Sequence, residues 1–291
     1  MKNRLIGSVI ILLVLVVGGW YIVSGRVKPP EERVKDSFIN LIKEENGHIK
    51  SEISLQPGKD NQANFQEIKI TTDGDFQKGK EGMLELATIF NVLGQTPGAS
   101  LSGKGEAMIV GGRVFYRIDE IPPIFSDADK IIGRWIEGSS NVNVLSDVFR
   151  GNILEALKNQ KIFTEAKKIG SEKVDGIGTT HIQVKLSSAG YASFLAELVK
   201  QSSGDTSITK EQIEKNISQL ESLPFDVWVD YSNNLKKINI IRIDATNGST
   251  TNISIYFSKF EGKLKIEAPK DVLQLAVPLA SSSPVVSPAS E

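Results

Sequence analysis

Apolar residues form one uninterrupted run near the start of the chain, from Leu5 to Val23. The run has 19 residues without a charge, and about 20 helical residues are needed to cross the hydrocarbon core of a bilayer. Lys2 and Arg4 precede it, and the pair Trp20-Tyr21 stands where aromatic side chains favour the membrane interface. The pattern predicts one transmembrane helix with a cytoplasmic N-terminus. The alternative is a signal peptide with Val23-Ser24-Gly25 as a poor cleavage site, although signal peptides usually have a shorter apolar region.

Beyond this run, helical and extended patterns follow one another along the chain. Helical spacing of apolar residues predicts helices, as for Val34 and Phe38, whereas apolar-polar alternation predicts strands, as for Ile182 and Val184. Gly111-Gly112 predicts a hairpin turn. The predicted helices are Glu31–Glu45, Gly82–Leu93, Asn143–Asn159, Ala189–Gln201 and Thr209–Ser222. The predicted strands are His48–Leu55, Phe65–Thr72, Ser100–Val110, Arg113–Ile118, Gly133–Gly138, Phe163–Ile169, Thr179–Leu186, Pro224–Asp230, Leu235–Ala245, Thr251–Phe257 and Lys263–Glu267.

These elements predict an α+β fold with an antiparallel sheet. The apolar positions change phase between Ile240 and Ile241, which predicts a β-bulge that would bend the sheet. After Val277 the chain is rich in Ser and Pro, a composition typical of disorder. We therefore expect an anchor and linker over residues 1–30, one extracytoplasmic domain over residues 31–277 and a disordered tail over residues 278–291.

Charge and cysteine content narrow the class of protein. The net charge is −1, and because four cations flank the apolar run, residues 30–291 carry −5. Such a body argues against a nucleic-acid surface, which needs clustered Lys and Arg. The chain has no cysteine and only two histidines, His48 and His181, so disulfides, thiolate zinc sites and lipid anchoring through cysteine are excluded. A protein of this size without disulfides fits a prokaryotic envelope.

Three motifs resemble ligand-binding loops without completing them. The segment Gly98–Lys104 has phosphate-loop spacing, but Gly105 replaces the Ser or Thr that holds magnesium, and an extended pattern follows instead of a helix. Asp73-Gly74-Asp75 and Asp127-Ala128-Asp129 begin like calcium loops and lack the later ligands. We interpret them as the start of a strand, a turn and a helix start. We predict no catalytic residue, no cofactor and no metal site.

Apolar faces of the predicted helices are the remaining candidates for a site. The simplest interpretation is that they form the core which covers the sheet. The sharper hypothesis is that some of them line a cavity for an apolar ligand. The candidate lining residues are Phe38, Ile42, Ile89, Phe90, Leu93, Tyr191, Phe194, Leu195 and Leu198.

Several short segments resemble one known superfamily. They are the turn Lys173–Gly176 with the strand Thr179–Val184 after it, the strand Pro224–Asp230 with Leu235–Ile238, and the segment Gly133–Ile136. On these residues the chain resembles the LolA/LppX-like superfamily of envelope lipoprotein carriers and lipid-binding lipoproteins, over about residues 31–270. The resemblance implies a strongly curved antiparallel sheet, a half-barrel, wrapped around helices. It also implies an acyl chain or lipoprotein held in an apolar cavity under the sheet.

The predicted function combines the anchor with this resemblance. We expect a single-pass protein of the cell membrane whose extracytoplasmic domain binds a lipid, an acylated ligand or another apolar ligand. A tethered domain cannot shuttle between membranes, so it would act as a fixed receptor or a local hand-off point. The alternative is a non-enzymatic module that binds another envelope protein or supports assembly. An unrecognised hydrolase is the third hypothesis, since no nucleophile or metal constellation is evident.

Overall fold

The computed structural model describes residues 28–58, 66–79, 84–96, 99–121, 131–138, 153–203, 224–259 and 264–273. The predicted membrane span, the predicted helix Thr209–Ser222, the Asp127–Asp129 motif and the predicted tail lie outside these residues. Within them, no helix is both long enough and apolar enough to cross a membrane.

Twelve strands and three helices are present in the described residues. The helices are α1 Pro30–Lys43, α2 Ile153–Asn159 and α3 Ser188–Ser203. The strands are β1 Asn46–Gln56, β2 Glu67–Lys78, β3 Leu84–Thr96, β4 Ala99–Val110, β5 Arg113–Glu120, β6 Trp135–Glu137, β7 Phe163–Val174, β8 Ile177–Leu186, β9 Phe225–Asp230, β10 Leu235–Ile243, β11 Thr250–Ser258 and β12 Val272–Leu273.

All twelve strands belong to one sheet, in the order β12-β6-β5-β4-β3-β2-β1-β11-β10-β9-β8-β7. Neighbouring strands are antiparallel, except that β12 runs parallel to β6. The sheet does not close, because β7 and β12 are its two edges. The predicted hairpin turn at Gly111-Gly112 is confirmed, and both glycines have positive φ, at 57° and 76°. The predicted class, helices with an antiparallel sheet, is therefore confirmed, and the open order is consistent with a half-barrel.

The predicted helix Gly82–Leu93 is wrong, because residues 84–93 belong to β3. Its register with β2 runs without interruption from Glu67↔Gln95 to Lys78↔Leu84, and β4 pairs along its other side. Apolar side chains stand on both faces of this strand, for example Ile89 on one face and Phe90 on the other. Because apolar residues occur on both faces, their spacing along the sequence resembles that of a helix. The hydrogen bonds to β2 and β4 nevertheless make this segment a strand.

Two further predictions in the C-terminal third are corrected. The predicted bulge between Ile240 and Ile241 is absent, since the pairing of β10 with β11 passes through both residues in register. The phase change instead places two apolar side chains in solvent, Ile241 at 47% and Ile243 at 64% exposure. The predicted strand Lys263–Glu267 is wrong as well, because residues 264–269 are not extended into the sheet and the last described strand is β12.

The core lies where the helices cover one end of the sheet. Helix α1 packs against β7, β8, β9 and β10. Val34 of α1 is fully buried, as are Ile182, Val184 and Val227 on the strands beneath it. Helices α2 and α3 complete this cluster with Leu157 and Phe194 among others. The described helices thus cover the β7–β10 end of the sheet.

Candidate functional site

The sheet face that α1 covers, here called the inner face, remains apolar far beyond the helices. Because side chains alternate across a strand, residues directly opposite each other in the register share a face. One such row crosses nine adjacent strands. It consists of Ala166, Val184, Phe225, Ile240, Ile253, Ile53, Ile70, Val92 and Gly103.

On β1–β3 this face is only half-buried. We call the apolar wall the ten apolar inner-face side chains of these strands, all of which keep intermediate exposure. Where the helices stand over β8 and β9, the corresponding residues Ile182 and Val227 are completely buried. The apolar wall is thus the continuation of a core face without a described helix packed on it. Its members are Ile49, Ile53, Leu55, Ile68, Ile70, Phe76, Leu84, Leu86, Phe90 and Val92.

Two glycines shape the apolar wall by letting aromatic rings lie close to the sheet. A Cβ atom on Gly105 of β4 would lie 2.5 Å from Cζ of Phe90. A Cβ atom on Gly47 of β1 would likewise lie 2.5 Å from Cζ of Phe76. Each ring therefore occupies the space that a side chain on the neighbouring strand would take. The rings lie along the sheet rather than across the space above it.

Hydroxyl groups on the same face are satisfied within the sheet. Ser51 and Thr72 face each other across β1 and β2, and their hydroxyl oxygens are 2.8 Å apart. The Thr88 hydroxyl donates to the carbonyl oxygen of Ile89 at 3.3 Å. Because these groups bond to one another or to the backbone, the wall offers apolar contact and shape rather than free hydrogen-bonding groups.

The structure places the predicted site residues in three different settings. Phe90 belongs to the apolar wall, whereas Ile89 and Leu93 lie on the opposite face of β3 with 43% and 48% exposure. The helix residues instead surround the core cluster of the β7–β10 end, and Leu198 lies in α3 with its side chain outside the description. Those that pack in or against the core are Phe38, Ile42, Tyr191, Phe194 and Leu195.

Aromatic contacts and burial confirm that these helix residues lie in an apolar environment. The ring centroids of Phe38 and Phe163 are 6.2 Å apart, and those of Tyr191 and Phe194 are also 6.2 Å apart. Burial raises the pKa of the Tyr191 phenol, because a phenolate would lose its hydration there. The helix residues therefore form the boundary of the inner face at the end that the helices cover.

Sequence reasoning missed most of the apolar wall. The alternation of Ile49, Ile53 and Leu55 in β1 was visible, as was that of Ile68 and Ile70 in β2. The erroneous helix at residues 82–93 interrupted the series, so the wall could not be assembled across β3. Assembling the wall requires knowing which residues of β1, β2 and β3 pair with one another, and local patterns do not contain that register.

A cavity of about 260 Å³ lies at the covered end of the sheet, beside the start of β7. It is bounded by the first turns of α1, the end of α2 and the loop into β7. Its lining mixes charged and apolar groups, with Lys35 and Lys161 next to Leu157 and Phe163. This mixed lining differs from the purely apolar wall.

Polar chemistry is concentrated on the opposite, outer face of the sheet. The His181 ring stacks on Trp228 with centroids 4.5 Å apart and lies between two carboxylates, Asp226 at 2.8 Å and Glu172 at 3.4 Å. His48 lies in a similar way between Asp75 and Asp73, at 2.7 Å and 3.3 Å. Both histidine rings thus lie next to two carboxylates on adjacent strands.

Two of the three loop-like motifs contribute to strands. Residues 99–104 of the first motif open β4, as expected for the start of a strand. Asp73-Gly74-Asp75 lies inside β2, which corrects its interpretation as a turn. Among the described residues, no group of three or more His, Asp or Glu side chains is arranged to hold a metal ion.

No protein-family model matches the chain, and no curated protein matches its sequence. The lipoprotein LppX from Mycobacterium tuberculosis is similar in structure over 81% of this chain and 97% of its own, at 16% identity and a TM-score of 0.41. LprF from Mycobacterium bovis is similar over 82% and 96%, at 14% identity and a TM-score of 0.40. A LolA superfamily protein from Nitrosomonas europaea is similar over 81% and 96%, at 10% identity and a TM-score of 0.23. Each similarity extends over most of this chain and nearly all of the matched chain.

Proposed function

We propose that this chain is a membrane-tethered, extracytoplasmic binding domain for a lipid or another apolar ligand. The observation that carries the proposal is the apolar wall, which continues the core face beyond the described helices. The curved sheet and the helices would enclose the ligand between them. Residues 31–277 would form this domain, and the predicted span at Leu5–Val23 would hold it at the membrane.

The chemistry of the apolar wall favours a long hydrocarbon chain as ligand. Branched aliphatic residues and flat phenyl rings offer a continuous surface, and the neighbouring hydroxyls are already bonded. Each methylene buried from water contributes about 0.8 kcal/mol. Ten such groups would contribute about 8 kcal/mol before the entropy of association is subtracted. Affinity would therefore depend on chain length more than on headgroup.

The tether limits how such a ligand can be handled. Only six residues, Ser24–Pro29, separate the predicted span from α1. A domain on so short a linker receives or releases its ligand near one membrane surface. We therefore propose a fixed receptor or a local hand-off point rather than a diffusing carrier.

Adjacent substitutions on β3 test the proposal. We expect Val92→Asp to weaken binding of a fluorescent fatty acid about tenfold or more, because the bound chain would desolvate a carboxylate. The measurement is fluorescence titration of the full-length chain in nanodiscs, supported by mass spectrometry of lipid that co-purifies with it. Leu93→Asp is the matched control, since Leu93 lies on the outer face at 48% exposure and is expected to leave binding unchanged. Equal binding by both variants and the parent chain, or no lipid bound at all, would contradict the proposal.

A second candidate function is a non-enzymatic module that binds another envelope protein. The observation that favours it is the exposed pair Ile241 and Ile243 on the outer face of β10. Crosslinking in cells through a photoreactive residue at position 243 tests this candidate. Failure to recover any protein partner from position 243 would count against it.

A further inference from the structure

We propose that the β7 edge of the sheet docks onto an anionic bilayer surface. The docking patch consists of three exposed apolar residues, Ile169, Ile177 and Tyr231, and three lysines, Lys167, Lys168 and Lys173. This inference rests on the tether of the proposed function and adds a second, non-covalent contact with the same membrane. It would set the orientation of the domain, which the tether alone would leave free.

The exposed apolar side chains are the first argument. Ile169 is 49% exposed, Ile177 is 42% exposed and Tyr231 is 86% exposed. Tyr231 stands beside the start of β8, because a Cβ atom on Gly178 would lie 3.2 Å from its ring. An exposed tyrosine beside aliphatic side chains has the amphipathic character that favours the headgroup region of a bilayer.

Basic side chains accompany them on a body that is acidic overall. Residues 30–291 carry a net charge of −5, yet Lys167, Lys168 and Lys173 are all exposed along β7. Of the acidic residues on this strand, Glu165 pairs with Lys185, and Glu172 accepts from the Trp228 indole N–H and lies next to the His181 ring. Among the described residues, no ion pair includes the three lysines. They are therefore available to anionic headgroups.

The chain's own geometry brings this edge to the membrane. Arg33, in the first turn of α1, donates to the Thr180 hydroxyl at 2.8 Å and to the Asp230 carbonyl at 3.0 Å. Thr180 lies three residues after Ile177, and Asp230 directly precedes Tyr231. The linker Ser24–Pro29 spans at most about 20 Å even when fully extended. If the predicted span ends at Val23, the patch must therefore lie close to the bilayer.

Edge strands often carry lysines simply to prevent association with other sheets. That role explains Lys167, Lys168 and Lys173 but gives no reason for three large apolar side chains in solvent beside them. Docking on an anionic bilayer accounts for both sets. Each lysine near such a surface strengthens binding about fivefold, so the three together are expected to shift the docked-to-undocked ratio about a hundredfold.

The absence of cysteine from the chain makes a site-specific test direct. Ser232→Cys, which leaves Tyr231 intact, is labelled with an environment-sensitive fluorophore in the full-length chain. The matched control is Ala245→Cys, an exposed position at the opposite end of β10. Both are reconstituted into vesicles of phosphatidylcholine with phosphatidylglycerol, or of phosphatidylcholine alone, containing nitroxide-labelled lipid.

We expect the label at position 232 to be quenched by the lipid nitroxide in phosphatidylglycerol vesicles and the label at position 245 to stay unquenched. Quenching should fall in phosphatidylcholine alone and in the triple variant Lys167→Gln, Lys168→Gln, Lys173→Gln. Equal quenching at both positions overturns the docking patch. If quenching at position 232 is the same with and without phosphatidylglycerol and the same in the triple variant, the anionic bilayer is overturned as partner. If both labelled chains fail to float with the vesicles, the tether fails instead, which separates this outcome from the other two.

Discussion

Gly105 shows how one missing side chain shapes the proposed ligand surface. A Cβ atom at this position would lie 2.3 Å from the carbonyl oxygen of Arg117 on β5 and 2.5 Å from the Phe90 ring on β3. Both distances are far below van der Waals contact, so the glycine allows three strands and one ring to approach each other. The run of small residues in this segment thus has a packing role rather than a role in phosphate binding.

We therefore expect Gly105→Ala to destabilise the fold by about 1–3 kcal/mol, because neighbouring backbone must move to admit the methyl group. The measurement is the free energy of unfolding from denaturant titration. Gly94→Ala on β3 is the control, since its nearest contact would be an ordinary 3.7 Å to Leu101 and its effect should stay within about 1 kcal/mol. A Gly105→Ala variant as stable as the parent chain would refute the close approach.

At the scale of elements, helix α1 contacts the sheet through both apolar and polar side chains. Val34 is buried in the core, while Arg33 reaches three groups on β8 and the β9–β10 turn. Its third bond is from Nε to the Asn233 amide oxygen at 3.2 Å. This planar fork fixes the helix along the edge of the sheet, where α1 follows the predicted anchor.

The three hydrogen bonds of the Arg33 guanidinium, rather than its positive charge alone, are expected to stabilise the packing of α1 on the sheet. Arg33→Ala should destabilise the fold by about 2 kcal/mol, because hydrogen bonds from a charged donor are lost. Arg33→Lys should recover only part of that stability, since an ammonium group cannot bond to three acceptors in this geometry. Glu32→Ala, at the exposed neighbouring position, is the control. Unfolding curves that show full recovery in Arg33→Lys would contradict the role of the fork.

At the scale of the whole described structure, the open sheet of twelve strands has two unlike regions. Helices cover the inner face at the β7–β10 end, and the apolar wall continues that face over β1–β3. The edge strand β7 lies next to α1 and therefore near the predicted anchor. The predicted tether, the proposed docking patch and the apolar wall would thus follow one another across a single sheet.

The tether itself is tested by a charge at the centre of the predicted span. Val14→Arg should reduce retention in carbonate-washed membranes, because an arginine at mid-membrane costs about 2.5–3.5 kcal/mol. Gly25→Arg lies outside the span and should not change retention. Intact-mass measurement of the parent chain provides the second readout. A mature chain that has lost the apolar run would identify a cleaved signal peptide instead of an anchor.

Local patterns were sufficient for much of this molecule. The alternation in β1, β8 and β9 predicted strands that the structure contains, and the periodicity of residues 189–201 predicted α3. Gly111-Gly112 predicted its hairpin, because positive φ is a local property of glycine. The predicted anchor and tail also rest on local composition alone, and they remain predictions because they lie outside the described residues.

What the sequence determined by itself is therefore each segment's alternation, charge and apolar content. Only the tertiary structure decided that residues 84–96 form β3, that Ile89 and Phe90 lie on opposite faces of the sheet, and that Arg33 meets Thr180. The physical reason is that pairing register and strand order arise from contacts between distant parts of the chain. Whether an apolar residue lies in the core, on the proposed ligand surface or in an exposed patch depends on which residues pair with it across the sheet.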